Sequence, residues 1–151
     1  MKKTAPVFFI LRAAVGALFV YSGFTKLMEP SSNFVGVVLG YGILGVRQAV
    51  FAAAVLPWTE LLAGIFLALG LWGRQASSAL AALCLLFFAA ITSTYVRHIP
   101  LQDCGCFGQG PHTLPLWGTL LLDVTLFLVL TLLIWRKEEA RWTSLDAALK
   151  A

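Results

Sequence analysis

Charge is what this sequence has least of. Only 12% of its 151 residues are Asp, Glu, Lys or Arg, about half the share found in a soluble domain. With 60% hydrophobic residues and a mean hydropathy of +0.87, an ordinary soluble globule is excluded. Cysteine is scarce too. Three residues, Cys84, Cys104 and Cys106, are too few for a framework of several disulfides. Internal repeats and low-complexity segments are also lacking, and the length leaves no room for a second domain beside one compact bundle. The net charge of +4 is read as a signal of membrane topology, not as a footprint for nucleic acid.

What fills the chain is a series of apolar runs, each near the roughly 20 residues that cross a bilayer. They predict an all-α, polytopic four-helix bundle with spans at about 7–27, 49–71, 76–96 and 116–135. The first is expected to be a retained span, not a signal peptide. Arg12 interrupts its apolar region early, and no small-residue cleavage site precedes Ser22-Gly23. Pro30 ends it. Residues 34–45 are apolar but glycine-rich and too short to span: as a helix they reach only ~18 Å. They are expected to lie in the interface as a short cap. Pro57 falls inside the second span, where proline removes a backbone donor.

Lysine and arginine counts set the expected orientation. Lys2, Lys3, Arg74, Arg136, Lys137, Arg141 and Lys150 share one side, and Lys26, Arg47 and Arg97 the other. The excess of positive charge belongs inside. Both termini and the 136–151 tail are therefore expected in the cytoplasm, and the 97–115 loop on the periplasmic or outer face of the inner membrane.

That loop carries Asp103-Cys104-Gly105-Cys106-Phe107-Gly108 among the breakers Pro100, Gly110, Pro111 and Pro115. Two thiols one residue apart either close a small ring or share a soft metal. A disulfide in so tight a ring departs from relaxed geometry and is easily reduced, and the outer side of the membrane is where disulfides persist. A reactive dithiol is the leading reading, with Cys104 and Cys106 as its catalytic residues. His98 and His112 flank the pair and can act on a thiolate as cations or proton acceptors. With the thiols they could also form a zinc or copper(I) set, though the spacing matches no established zinc pattern. A merely structural loop in a non-catalytic docking subunit is the other alternative. Cys84 lies some 14 Å or more below the surface if helical, too far to pair with the loop, and reads as a small core residue. Without a second dithiol, electrons leaving the loop need a partner protein or a membrane-soluble acceptor such as a quinone.

Arg12, Lys26, Glu60 and Asp123 fall within the spans, where an uncompensated charge costs several kcal/mol. Counting depth along each span suggests the pairs Arg12–Glu60 and Lys26–Asp123, with Lys26–Glu60 as the alternative. The residues serve either as neutralised struts or as proton relays during dithiol oxidation.

Three elements together resemble one family. They are Arg12-x3-Gly16 with Ser22-Gly23-x2-Lys26, then Pro57-x2-Glu60-x3-Gly64 with Gly70, and finally the Cys-Gly-Cys loop followed by a span with Asp123. From Arg12 to Trp135 the chain resembles the MauE branch of the DoxX-like membrane proteins. The resemblance implies a four-helix bundle that works with a thioredoxin-like periplasmic partner in forming disulfides of the methylamine dehydrogenase small subunit. It attaches Cys104 and Cys106 to redox exchange, and Lys26 and Glu60 to an intramembrane polar site. Where the family often has a basic residue before the aspartate, this chain has Leu122.

Overall fold

A computed structural model of the chain describes residues 5–99 and 116–135. They form five helices: α1 (Ala5–Met28), α2 (Ser31–Gly40), α3 (Val46–Leu69), α4 (Gly73–Val96) and α5 (Leu116–Trp135). Four of them, all but α2, are long and apolar enough to cross a membrane. The expected all-α bundle of four spans is what forms, with helix ends within three residues of the sequence estimates.

The helix ends follow local chemistry. Pro30, as N-cap of α2, closes off α1 and lets α2 begin immediately, so the short helix starts at Ser31. It buries Phe34, Val37 and Val38, and Tyr41 just beyond its end, one apolar stripe at helical spacing. The stripe packs with Ala49 and Ala53 of α3 and Ile91 of α4. Residues 31–41 thus cap one end of the bundle, as expected of a segment too short to span.

At the other end Gly70 takes a left-handed conformation (φ 72°). Its N–H and that of Leu71 bond back to Leu67 and Phe66, the hydrogen bonding of a glycine helix stop. The turn to Gly73 is so short that α3 and α4 must run antiparallel as neighbours. The main core joins Val15 and Phe19 of α1, Ala63 and Leu67 of α3, Leu80 and Cys84 of α4, and Leu126 and Leu130 of α5.

The α1–α3 seam is the closest in the bundle, and small residues make it so. A Cβ on Gly16 would lie 2.8 Å from Ala68 and 2.9 Å from the Gly64 carbonyl. One on Gly23 would lie 2.7 Å from the Pro57 carbonyl and 2.8 Å from the Leu61 nitrogen. Backbones can approach this closely only where no side chain intervenes. The seam sets an antiparallel register in which Ser22 is level with Glu60, and Arg12 with Gly70.

Candidate functional site

That register builds the polar site. Helical side chains lean toward the N-terminus of their own helix, so Lys26 reaches back one turn to the level of Ser22. There its ammonium meets Glu60, with Nζ 2.8 Å from Oε1 and 2.6 Å from Oε2, and donates to the Ser22 hydroxyl at 2.9 Å. Ser22 in turn donates to Glu60 Oε2 at 3.0 Å. The three ammonium donors all have acceptors. Lys26 is 4% exposed and Glu60 1%, so the pair is sealed from its surroundings. The rings of Phe34 and Phe87 flank the ammonium, their centroids 5.5 and 5.4 Å from Nζ, adding cation–π attraction.

This corrects the pairing that depth counting favoured. Glu60 pairs with Lys26, not Arg12, and Lys26 gives its ammonium to Glu60 and Ser22, not to Asp123. Counting from the ends of the spans places Arg12 about one turn from Glu60. The glycine seam instead seats the Arg12 guanidinium over Gly70, ten residues or ~15 Å along the helix from Glu60. In that position Arg12 is buried, lies over the Phe9 ring at 5.5 Å and stands at the C-terminal end of α3, where the helix dipole favours a cation.

Asp123 on α5 is buried at 5% exposure. It faces the same interior as Glu60: the two carboxylates, Ser22 and Cys84 line a common cavity of about 20 Å³ among Leu18, Phe19, Phe87, Leu122 and Leu126. Cys84 is a buried free thiol, as expected of a core cysteine. Its place beside two carboxylates has no counterpart in the sequence pattern, because a lone cysteine carries no periodic or motif signal.

The 97–115 connection leaves the bundle at the end of α4. Arg97 donates to the carbonyls of Ser93 (3.2 Å), Gly42 (3.0 Å) and Tyr41, which ties the α4 terminus to the α2–α3 turn. His98 follows, exposed and in a left-handed conformation (φ 52°). Cys84 and Asp123 are level, yet α4 continues twelve residues beyond Cys84 while α5 starts only seven before Asp123. The end of α4 therefore stands about five residues, ~7.5 Å, above the start of α5. The connection starts at the end of the bundle that carries the α2 cap. Cys104, Cys106 and His112 lie outside the described residues. Among the described residues no group of three or more His, Cys, Asp or Glu side chains is placed to hold a metal ion.

The model of the family described as methylamine utilisation protein MauE matches residues 4–136. The chain belongs to the MauE family. It is also 32% identical over 120 residues to a methylamine utilization protein MauE of Paracoccus denitrificans. The aligned stretch covers 80% of this chain and 64% of that relative, so the match spans somewhat less than two thirds of the relative's length. No solved structure matches. With MauE membership and four spanning helices, the chain is a multi-pass membrane protein. The Ser22–Lys26–Glu60 cluster and the Gly16, Gly23 and Gly64 seats make up the polar and small-residue pattern of its first and third helices.

Proposed function

We propose that this MauE-family protein is a thiol–disulfide redox protein of the cytoplasmic membrane that acts in methylamine utilisation. In this reading both termini are cytoplasmic, and the Cys104-Gly105-Cys106 loop faces the periplasm, where it exchanges with a thioredoxin-fold partner. The single observation that carries it is where the thiols fall. Cys104 and Cys106 are in the α4–α5 connection, outside the spans, whereas Cys84 is buried at 2% exposure inside the bundle.

The chemistry is a two-electron exchange. A partner thiolate attacks one sulfur of the Cys104–Cys106 bond, and a mixed disulfide forms as the other cysteine leaves as thiolate. The partner's second thiolate then attacks the mixed disulfide. The partner leaves oxidised, and the loop holds two thiols after taking up two protons. Returning the loop to the disulfide releases two electrons and two protons, for which a membrane quinone is a fitting acceptor. A tight ring, higher in potential than a relaxed disulfide, suits the oxidising role.

Single Cys104→Ser and Cys106→Ser variants, acid-quenched in cells and run on non-reducing gels, test this reading. Each is expected to lose function, and one is expected to accumulate a mixed disulfide with a thioredoxin-fold protein. Full function in the Cys104→Ser, Cys106→Ser double variant would overturn the reading and leave a docking subunit in its place.

A further inference from the structure

Small residues leave a gap between α3 and α4. Ala52 on α3 and Ala89 and Ala90 on α4 line it, and the end of α2 with the turn that follows closes its top. The result is a groove of about 460 Å³, inside the roughly 300–1,000 Å³ of pockets that hold small molecules and cofactors. Its lining is aliphatic or aromatic throughout. Phe51 and Leu86 on that lining are 71% and 51% exposed, so in a membrane the groove opens sideways to lipid. Leu56, its deepest residue on α3, lies ten residues below the helix start at Val46. That is ~15 Å, about half of a ~30 Å hydrocarbon core.

The turn that closes the groove also anchors the root of the dithiol connection. Tyr41, Ile43 and Leu44 line the groove, while the carbonyls of Tyr41 and Gly42 accept hydrogen bonds from Arg97. A Cβ on Gly42 would lie 3.6 Å from Ile99 Cδ1, so Ile99 rests against the same turn. Cys104 is five residues further on, a reach of at most ~17 Å. The connection that carries the thiols thus starts at the upper rim of the groove. The chain has only three cysteines, and Cys84 is buried, so no second thiol pair can take the electrons of the first.

We propose that this groove binds a lipid-soluble quinone, and that this quinone oxidises the loop dithiol. Its ring lies beneath the Tyr41–Leu44 turn and its isoprenoid tail along α3 and α4. The assignment rests on the thiol–disulfide reading and locates its electron acceptor. In the reaction two S–H bonds break and one S–S bond forms. The two electrons and two protons pass to the quinone, whose two carbonyls become the hydroxyls of a quinol. Tyr41 and Phe51, near the top of the groove, offer aromatic faces to a flat ring. A phospholipid acyl chain would match the aliphatic walls alone and has no chemistry to do beside a dithiol.

The test uses purified protein in lipid nanodiscs, photolabelled with an azido-benzoquinone that bears a decyl tail, with labelled peptides mapped by mass spectrometry. Label is expected on residues 41–56 and 86–90 and is expected to be competed by the same quinone without the azide. In parallel, pre-reduced protein is mixed with the azide-free quinone, and loop disulfide formation is followed by alkylation. Val55→Phe and Ala89→Phe narrow the groove from exposed positions, outside the core. Each is expected to lose the label and to slow oxidation by the quinone about tenfold or more. Leu128→Phe, lipid-facing on α5 at 61% exposure, is expected to keep the wild-type rate. Label spread evenly over the four spans, or unchanged oxidation in both groove variants, would overturn the site and leave the groove to bilayer lipid. A wild-type loop that exchanges with thiol buffers but is not oxidised by the quinone would overturn this site alone. A loop inert to both would overturn the thiol–disulfide reading with it.

Discussion

The two helix pairs of the bundle are held by different means. Where α1 meets α3, glycine backbones touch the facing helix at Gly16, Gly23 and Gly64, and one buried ion pair closes the seam. Where α4 meets α5, the contact is made by side-chain volume, with Leu80, Leu83, Leu126 and Leu130. Leucine packing is non-directional and tolerates shape-conserving change. A glycine seat beneath an ion pair allows one register only. The contrast places the polar site on the pair whose geometry is fixed, while the dithiol connection extends from the pair whose packing is more adaptable.

The largest break in this contrast should come from the ion pair. Glu60→Gln leaves the Lys26 ammonium buried without its counter-charge, and such a loss costs about 3–5 kcal/mol. Thermal unfolding in detergent should show a correspondingly large drop. A Glu60→Gln, Lys26→Met double variant should recover part of it, because the stranded charge is gone. No change in stability on Glu60→Gln would mean that the carboxylate is not structural.

Gly23→Ala comes next. Its Cβ meets the α3 backbone at 2.7 Å and forces the seam apart, for about 1–3 kcal/mol. Because Ser22 moves with Gly23, the same variant should weaken the Lys26–Glu60 contact. Its cost and that of Glu60→Gln should therefore be less than additive in a double-mutant cycle. Strict additivity would separate the seam from the ion pair. The smallest effect belongs to the other seam: Leu130→Met, at a fully buried position, should cost less than about 1.5 kcal/mol by the same unfolding measurement.

The spans were legible in the sequence because their apolar length is a bulk property that survives any error of register. The α2 cap was legible for a similar reason, since Pro30 and a run too short to span leave few alternatives. Pairing of the intramembrane charges was not. It depends on helix register, and depth counted from span ends misplaces Arg12 by nearly two turns. The register was nonetheless encoded, in Gly16, Gly23, Gly64 and Ala68, whose small size reads in isolation as ordinary packing. The convergence of Cys84 and Asp123 on Glu60 depends on α4 and α5 packing, which leucine-rich sequences do not specify at single-residue precision. Cys104 and Cys106 had the strongest motif signal of all, carried by their spacing and needing no register.

The central claim is that Cys104 and Cys106 form an exchangeable two-electron couple. Purified wild-type protein, equilibrated across a series of thiol–disulfide redox buffers, acid-quenched and alkylated, would be weighed by peptide mass spectrometry. The account predicts that Cys104 and Cys106 gain alkyl labels together in one two-electron transition at a definite potential, while buried Cys84 stays outside it. Loop cysteines that remain oxidised or reduced across the whole series, or that titrate independently of each other, would contradict it.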